Sequence, residues 1–250
     1  MIAPASILGD NLWRKMGRDG KRMLLIPAGW FTMGSACGAC EDETPEHRVY
    51  LDAFYIDETP VTNAEYERFL NANPLYTAPP GWDKLQRTLP RRQAEQPVVN
   101  VAWEDAQAYA RWAGKQLPTE AQWEKAARGT DRRVYPWGDD FDPTRCNMWE
   151  SAIFDKTPVT RYAPRGNSPY GVIDMVGNAS EWCADWYAAD YYQHSPPQNP
   201  LGPESGIFRV LRGGAWCSDR VDLRAANRHF YYPRYRDVTV GFRCVKQDED

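Results

Sequence analysis

Oxygen-bearing groups are concentrated in one segment, residues 168–186, with the sequence SPYGVIDMVGNASEWCADW. Asp174 and Glu181 could supply carboxylate oxygens, and the main chain at Gly177 and Ala179 could supply carbonyl oxygens between them. A hard cation such as calcium prefers several oxygen ligands, and a glycine within the run lets the chain wrap tightly. The same acids could instead cap backbone amides in an ordinary turn. The spacing alone leaves both interpretations open.

The cysteines offer softer ligands but no complete metal set. Cys37 and Cys40 form a CxxC, yet the chain has no second CxxC, and His47 is the only histidine nearby. A structural zinc site needs four such ligands, so a surface loop is favoured over a zinc or redox site. Cys183 and Cys244 lie in apolar surroundings and are typical of small buried hydrophobic residues. Six cysteines in 250 residues do not form a disulfide framework.

Nucleophilic catalysis has no matching pattern. The chain has three histidines in all, His47, His194 and His229, and none belongs to a matched Cys–His arrangement. A GxSxG nucleophile turn is also missing from the sequence. A nucleophilic triad is therefore not indicated.

A long irregular stretch between two strand-like runs, residues 208–211 and 240–245, is the strongest candidate for a ligand site. Such loops are where binding and catalysis are concentrated, and residues 224–227 are expected to support this one from inside. A surface connection with its aromatic residues buried in the core is the alternative. The residues predicted to converge on one exposed face are Cys217, Ser218, Asp219, Val221, His229, Phe230, Tyr231, Tyr232, Tyr235, Asp237 and Thr239.

The elements that would position these segments are short. Capping boxes at 62–65 and 119–122 predict helix starts, and apolar spacing predicts a further helix over 103–113 that ends at Gly114. The helix after Thr119 is predicted to be amphipathic. Strands are predicted as a pair within 24–35 and at 47–51, 54–56, 97–101, 208–211 and 240–245.

Composition limits the class of protein. A chain of 250 residues with 42% hydrophobic residues can bury one sizeable core, and 20 prolines with 18 glycines indicate a loop-rich fold and not a regular bundle or barrel. The net charge is −4 without a long basic run, so nucleic acid is not an expected partner. The sequence contains neither a bilayer-length apolar run nor a signal-peptide pattern over residues 1–14, and a cytoplasmic protein without membrane contact is expected.

The two ends of the C-terminal stretch resemble a known family. The segments RVLRGGAW, LRAANR and VGFRCV, together with LPTEAQWEKAARG near residue 120, resemble the formylglycine-generating enzyme, or sulfatase-modifying factor, family. The resemblance covers roughly residues 25–245. It implies a single α+β domain of the C-type-lectin-like, formylglycine-generating-enzyme type over residues 23–250. Residues 1–22 would then be an N-terminal extension, and residues 208–245 a ligand-binding variable region.

The resemblance also bears on the cation site. By the family's calcium loop, Asp174 and Glu181 would donate side-chain oxygens, and Gly177 and Ala179 main-chain oxygens. The family's second calcium site would correspond to Asn147 and Met148, with Asp155 as the only substitute for its remaining ligands. The family motif thus favours a structural calcium ion over a simple turn.

Catalysis in the family requires two cysteines that bind copper just after the Gly-Gly pair, because Cu(I) prefers soft sulfur ligands. The corresponding positions here are Ser218 and Leu223, and Cys217 precedes the first of them by one residue. No second cysteine follows Cys217 before Cys244. The oxidation of a sulfatase cysteine to formylglycine, with copper as cofactor, is therefore the alternative function, and no catalytic residue is assigned.

A second branch of the same fold matches the loop better. Variable proteins of diversity-generating retroelements carry their variable residues in a C-terminal stretch. Mutagenesis of adenines in AAC codons cannot produce Lys, Glu, Gln, Met or Trp, and residues 217–245 contain none of these five. Rigid aromatic residues beside small polar ones also resemble an antibody paratope. The resemblance therefore implies a ligand-binding variable protein whose partner is a protein or another macromolecule.

Overall fold

A computed structural model of the chain describes residues 13–36 and 40–248, so Cys37 lies outside the described residues. Within that part, strands and helices are short and long irregular segments join them. In chain order the elements are β1 (Trp13–Met16), β2 (Lys21–Ile26), β3 (Gly29–Met33), β4 (His47–Leu51), β5 (Phe54–Asp57), α1 (Asn63–Ala72), α2 (Trp103–Ala113), α3 (Glu120–Arg128), β6 (Ser180–Trp186), β7 (Arg209–Arg212), β8 (His229–Tyr231), β9 (Val240–Gly241) and β10 (Val245–Gln247).

The strands form three sheets with the orders β1-β2-β5-β10, β3-β4 and β8-β7-β6-β9. All pairs are antiparallel except β6 with β9. The segment predicted as an N-terminal extension contributes β1, which pairs with β2. Residues 208–212 and 240–245 were predicted to be paired or neighbouring strands, and this is wrong in detail: β7 and β9 belong to one sheet, but β6 lies between them. None of the described helices could cross a membrane.

The predicted strand over 240–245 is wrong as a single element. β9 ends at Gly241, and the chain crosses to β10, which pairs with β5 in another sheet. Two contacts explain the break. A Cβ at Gly241 would lie 2.4 Å from the Val98 carbonyl oxygen, so the backbones meet too closely for a side chain. The fully buried Arg243 turns to bind Glu181.

Two hydrophobic cores lie on opposite faces of the β7–β6 sheet. The first contains Trp123, Val210 and the inner residues of β2 to β5. The second is an aromatic cluster of α1 and α2 that also includes Trp182 and Leu211. Since neighbouring residues of a strand point to opposite faces, Val210 and Leu211 reach different cores. Cys183 and Cys244 are fully buried, as predicted.

The first two helices confirm the sequence patterns. α1 begins after Thr62, whose hydroxyl accepts the Glu65 amide at 3.3 Å while the Glu65 carboxylate accepts the Thr62 amide at 2.8 Å. α2 ends at Gly114, whose left-handed φ of 74° closes the last turn. The predicted strand at 97–101 is wrong, because its amides bind separate segments: Val98 donates to Val61 and Asn100 to Asp237.

α3 differs from the predicted amphipathic helix because every one of its nine residues is buried. Three of its four charged residues, Glu120, Glu124 and Arg128, recur at four-residue spacing and lie along one side of the helix. Arginines from the C-terminal third of the chain reach this side and neutralise it. The charged stripe therefore fixes distant segments instead of facing water.

Candidate ligand-binding face and cation site

A buried ion network anchors the start of the C-terminal loop, which we define as residues 213–239. Arg212 has no exposed surface and donates to Glu120 at 3.0 Å and Glu124 at 2.6 Å. Its guanidinium also donates to the carbonyl oxygens of Ala225 and Ala226. Burial alone would raise the pKa of Glu120, but Arg228 and Arg212 outweigh it and hold that pKa below its usual value. The network thus ties β7, α3 and the middle of the loop together.

The middle of the loop, residues 224–227, is buried as predicted and is held by two more arginines. Arg224 binds both carboxylate oxygens of Glu43, at 2.6 and 2.7 Å. Arg228 binds both oxygens of Glu120, at 2.8 and 3.0 Å. Paired hydrogen bonds of this kind fix orientation as well as distance. The C-terminal loop therefore has a rigid inner support.

Asp185 gives this network a pH dependence. Burial, together with the charge of Glu120, raises the pKa of Asp185 from 3.8 to about 8. The folded state therefore holds a proton that the unfolded state releases above its pKa of 3.8, and stability falls as pH rises from about 4 to about 8. We expect Asp185→Asn, which can still accept the Glu120 amide, to remove a loss of up to about 5 kcal/mol over that range, because one pKa unit is worth about 1.4 kcal/mol. Urea unfolding at pH 5, 6.5 and 8 measures it, and parallel curves for both proteins would contradict the prediction.

The aromatic residues around edge strand β8 form two groups, one on each face of the strand. Phe230 pairs with Val210 and stacks on Tyr187 with 3.9 Å between ring centroids. Phe208 lies between Phe230 and Tyr232, at 5.0 and 4.6 Å. This first aromatic group (Tyr187, Phe208, Phe230 and Tyr232) lies beside the first core. Phe230 and Tyr232 remain 39% and 57% exposed.

The second aromatic group lies on the opposite face and consists of Tyr231 and Tyr235, stacked at 3.8 Å. Tyr231 is 44% exposed and pairs across the strands with Arg209. The Arg209 guanidinium is held between two tryptophan rings, 3.8 Å from Trp103 and 3.5 Å from Trp186. A cation enclosed by two rings is a stiff support. The predicted single convergent face is thus two aromatic groups on either side of one strand.

The first residues of the loop form a separate tip beside Trp149. The Trp149 amide donates to the Ser218 carbonyl at 3.1 Å, and Cys217 is exposed. Partial burial, with the carboxylates of Asp237 and Asp222, raises the pKa of the Cys217 thiol. Reactive cysteines need the opposite surroundings, because the thiolate is the nucleophile and metal ligand.

The remaining predicted ligand-binding residues are held in place locally. Asp219 accepts the Val221 amide, and His229 lies 3.4 Å from Asp222. Asp237 accepts the Thr239 amide at 2.9 Å. The Asp237 carbonyl accepts the Asn100 amide, so the end of the loop is fixed to the segment before α2.

Asn178, which the sequence indicated only as part of a tight turn with Gly177, bonds to two of the predicted cation ligands, Asp174 and Asn147. Its amide nitrogen donates to the Asp174 carboxylate at 2.7 Å, and its amide oxygen accepts from Asn147 at 3.1 Å. The Asn147 Oδ1 and Thr157 Oγ1 atoms are buried and have no hydrogen-bond partner within the described residues. The sequence signal for Asn178 is its position directly after Gly177, because Gly-Asn pairs form tight turns.

The fit of this cluster to calcium is uneven. Burial raises the pKa of Asp174 to about 8, and a bound cation would favour its ionised form. Two unpaired buried oxygens and Asp174 suit a hard ion. Glu181, however, already gives both oxygens to Arg243 and accepts the Trp123 indole N–H. The described residues contain no group of three His, Cys, Asp or Glu side chains that could hold a metal, so amide and carbonyl oxygens would have to complete the site.

The other predicted ligands are buried main-chain positions. The Gly177 carbonyl already accepts the Ala179 amide, and the Met148 carbonyl accepts the Ser151 amide. A carbonyl oxygen has a second lone pair, so these bonds do not prevent coordination. Calcium remains a prediction, with Asp174 as the residue that tests it.

We expect calcium to stabilise the protein through Asp174. An ion that binds only the folded state at 100 times its dissociation constant adds about 2.7 kcal/mol. Melting curves in chelator and in added calcium measure this effect, and Asp174→Ala should abolish the difference. Asp185→Asn is the matched control, because it alters a buried carboxyl group outside the cluster. A calcium response that persists in Asp174→Ala would place the ion elsewhere.

The fold and the anchored loop define a class: a loop-rich α+β domain of the C-type-lectin-like, formylglycine-generating-enzyme type. The model of the sulfatase-modifying factor enzyme 1-like domain matches residues 11–248. The chain belongs to this family.

Proteins with similar sequences carry several different names. The formylglycine-generating enzyme of Streptomyces coelicolor is 37% identical, and the match covers 91% of this chain and 90% of that protein. The serine/threonine-protein kinase pkn1 of Chlamydia pneumoniae is 42% identical over 90% of this chain. The chain spans only 38% of the length of that protein. An inactive C-alpha-formylglycine-generating enzyme 2 of Mus musculus is 31% identical over 89% of this chain and 85% of that protein.

Solved structures confirm the fold. PvdO from Pseudomonas aeruginosa superposes with a TM-score of 0.79 at 28% identity, covering 94% of this chain and 97% of that one. Treponema denticola variable protein 1 superposes with a TM-score of 0.74 at 23% identity, covering 91% and 95%. At that identity the second likeness concerns the fold alone.

Proposed function

We propose that the protein is a ligand-binding module that presents the aromatic residues of β8 and of the C-terminal loop to a protein partner. The exposure of Phe230, Tyr231 and Tyr232, at 39%, 44% and 57%, carries this proposal. Large aromatic side chains are normally buried, and together on a surface they supply the anchors of protein interfaces. Because the two groups lie on opposite faces of β8, a partner would have to wrap around the exposed edge of this strand to contact both.

The support beneath the loop favours binding further. Ion pairs through Arg212, Arg224 and Arg228 hold the loop from inside. A surface that is ordered before binding loses less conformational entropy when the partner arrives. The scaffold can therefore tolerate changes at exposed positions while its buried residues keep the fold.

The double substitution Tyr231→Ala with Tyr232→Ala tests the face. We expect the partner captured by the parent protein from its native cells to be lost, and its purified form to bind at least about 30-fold more weakly. Trp30→Ala is the matched control, because Trp30 is 42% exposed on another sheet. Equal binding by the parent and the double variant, with unchanged melting temperatures, would exclude this face.

We further propose that a retroelement diversifies the codons of this loop. The absence of Lys, Glu, Gln, Met and Trp from residues 217–245 supports it. The expected genomic observation is a reverse transcriptase gene with a near-copy of the codons for 217–240. A neighbouring sulfatase gene with neither feature would instead favour the oxidase.

Copper-dependent oxidation is the second candidate, and the identity to the Streptomyces enzyme over 90% of its length favours it. The site chemistry opposes it. Leu223, at the second cysteine position of the family, is fully buried, and the pKa of the Cys217 thiol is raised. Incubation with copper, oxygen and a Cys-x-Pro-x-Arg peptide is the direct test. Formylglycine formation that requires Cys217 would establish the oxidase and overturn the binding proposal.

A further inference from the structure

The outer edge of β8 is not paired with another strand. β8 is the last strand of the sheet β8-β7-β6-β9, and none of the strands in residues 13–36 and 40–248 lies on its outer side. Free N–H and C=O groups at a sheet edge can pair with another chain, and proteins commonly prevent this with a charged side chain or a proline. Phe230 and Tyr231 are neither charged nor proline, and both are exposed. The edge is therefore open to a second chain.

The main chain at Phe230 points toward this open edge. In an antiparallel ladder, successive residues direct their main-chain groups alternately to the two neighbouring strands. The amide of Tyr187, directly after β6, donates to the Phe208 carbonyl at 2.8 Å, so the main chain at Phe208 faces β6. The main chain at Val210, two residues further on, also faces β6, and Val210 lies opposite Phe230. The Phe230 amide and carbonyl therefore point away from β7.

An extended segment at this edge could contact both aromatic groups at once. Side chains alternate between the two faces of a sheet, and residues directly opposite each other lie on the same face. The residue opposite Phe230 would contact the first aromatic group, and the residues on either side of it would contact the second group through Tyr231. A flat protein surface would reach only one of the two faces. The arrangement of the aromatic groups therefore favours a partner segment in strand conformation.

A cation without a partner lies directly after the strand. Arg234 is in the turn that the Tyr235 amide closes by donating to the Tyr232 carbonyl at 2.8 Å. Its side chain is exposed and forms neither an ion pair nor a hydrogen bond with the part of the chain that the structure describes. Arg236, by contrast, is paired with Asp105. A carboxylate on the bound segment would be complementary to Arg234.

We propose that the partner binds by strand addition, with an extended segment of a protein pairing along the free edge of β8. This segment carries large apolar side chains at neighbouring positions, one for each aromatic group, and an acidic residue that reaches Arg234. In this mode of recognition main-chain hydrogen bonds supply affinity and alternate side chains supply specificity. The inference rests on the proposed binding function and adds the conformation and chemistry of the epitope.

Short linear peptides, selected on the intact chain from a random display library, are the probe. We expect binders that carry apolar and acidic residues and that require Tyr231 and Tyr232. N-methylation of the peptide amides, one position at a time, should weaken binding about tenfold or more at the position that donates to Phe230, and should have little effect at its two neighbours. Failure to select any peptide that requires the two tyrosines would overturn the proposal. Equal effects of N-methylation at all three positions would also overturn it.

Two substitutions at Phe230 test the protein side of the pairing. Phe230→Ala removes the ring and keeps the amide, whereas Phe230→Pro removes both, and proline is tolerated where the amide faces away from the sheet. We expect Phe230→Pro to bind the peptide about fivefold more weakly than Phe230→Ala, through loss of one hydrogen bond. Equal affinities of the two folded variants would contradict strand addition. If Phe230→Pro does not fold, the N-methylation series decides.

The charge is tested by Arg234→Gln, which should weaken binding of the acidic peptides and reduce its dependence on salt. Arg220→Gln is the matched control, because Arg220 is an exposed arginine in the same loop, next to Tyr135. Equal binding by the parent and Arg234→Gln would exclude the acidic contact.

Failure of strand addition can be distinguished from failure of the binding function. A native partner that requires Tyr231 and Tyr232, together with no linear peptide that does, would leave the binding face in place and overturn strand addition alone. A second copy of the chain could instead occupy the edge. Sedimentation would then show a dimer of the parent protein that Phe230→Pro separates into monomers, and this result would also overturn the proposal.

Discussion

Replacing Arg212 by Met is expected to lower the free energy of unfolding by about 3–5 kcal/mol, because it breaks a buried ion network on one side only. Glu120 and Glu124 would each lose a charged partner, and the carbonyls of Ala225 and Ala226 would lose their donor. The remaining arginines, Arg228 and Arg128, compensate part of the charge. Urea unfolding measures the loss.

Two variants separate the causes. Arg212→Lys keeps the charge but cannot reach both carboxylates and both carbonyls at once, so we expect an intermediate loss. Arg22→Met removes an exposed pair with Glu58, with 45% and 23% of the side chains accessible, and should cost no more than about 1 kcal/mol. If Arg212→Met costs as little as Arg22→Met, the network does not stabilise the loop support. Hydrogen exchange over residues 224–231 should accelerate in Arg212→Met alone.

Local sequence patterns predicted the elements whose ends are set by contacts between residues close in sequence. The capping boxes at Thr62 and Thr119 and the glycine at 114 mark helix ends through contacts within a few residues. Alternation located β4, and the apolar run at 54–56 located β5, although every residue of β5 is buried and the strand is not half-buried as predicted. The exposure of the β8 aromatic residues also followed from the sequence, because both loop ends were recognisable.

What the sequence could not predict depends on pairing across the chain. Arg224 meets Glu43 across 181 residues, and Arg243 meets Glu181 across 62. Periodicity assigns such charged residues to the surface, as it did for α3. Two features of the sequence together could have predicted this burial. They are the four-residue spacing of Glu120, Glu124 and Arg128, and the arginine at 212 in the family motif. The two-sided arrangement at β8 was missed because it depends on its pairing with β7.

Substituting Ala for Gly177 is expected to cost at least about 3 kcal/mol, since three segments meet at this glycine. Its amide donates to the Gly213 carbonyl, and the neighbouring Asn178 amide donates to the Asn147 carbonyl. A Cβ at Gly177 would lie 2.3 Å from that Asn147 oxygen, far inside contact distance. The backbone φ of 76° adds a smaller cost, on the order of 1 kcal/mol.

Gly171→Ala separates these two costs. Its φ of 85° carries the same backbone penalty, but the nearest atom to its Cβ would be 3.7 Å away, an ordinary contact. The difference in unfolding free energy between the two variants therefore measures the steric clash at Asn147. If calcium binds this cluster, Gly177→Ala should also lose the calcium-dependent rise in melting temperature, whereas Gly171→Ala should keep it. Equal destabilisation by both substitutions would mean that the 146–148 segment can move away, and that the predicted cation cluster is not a rigid site.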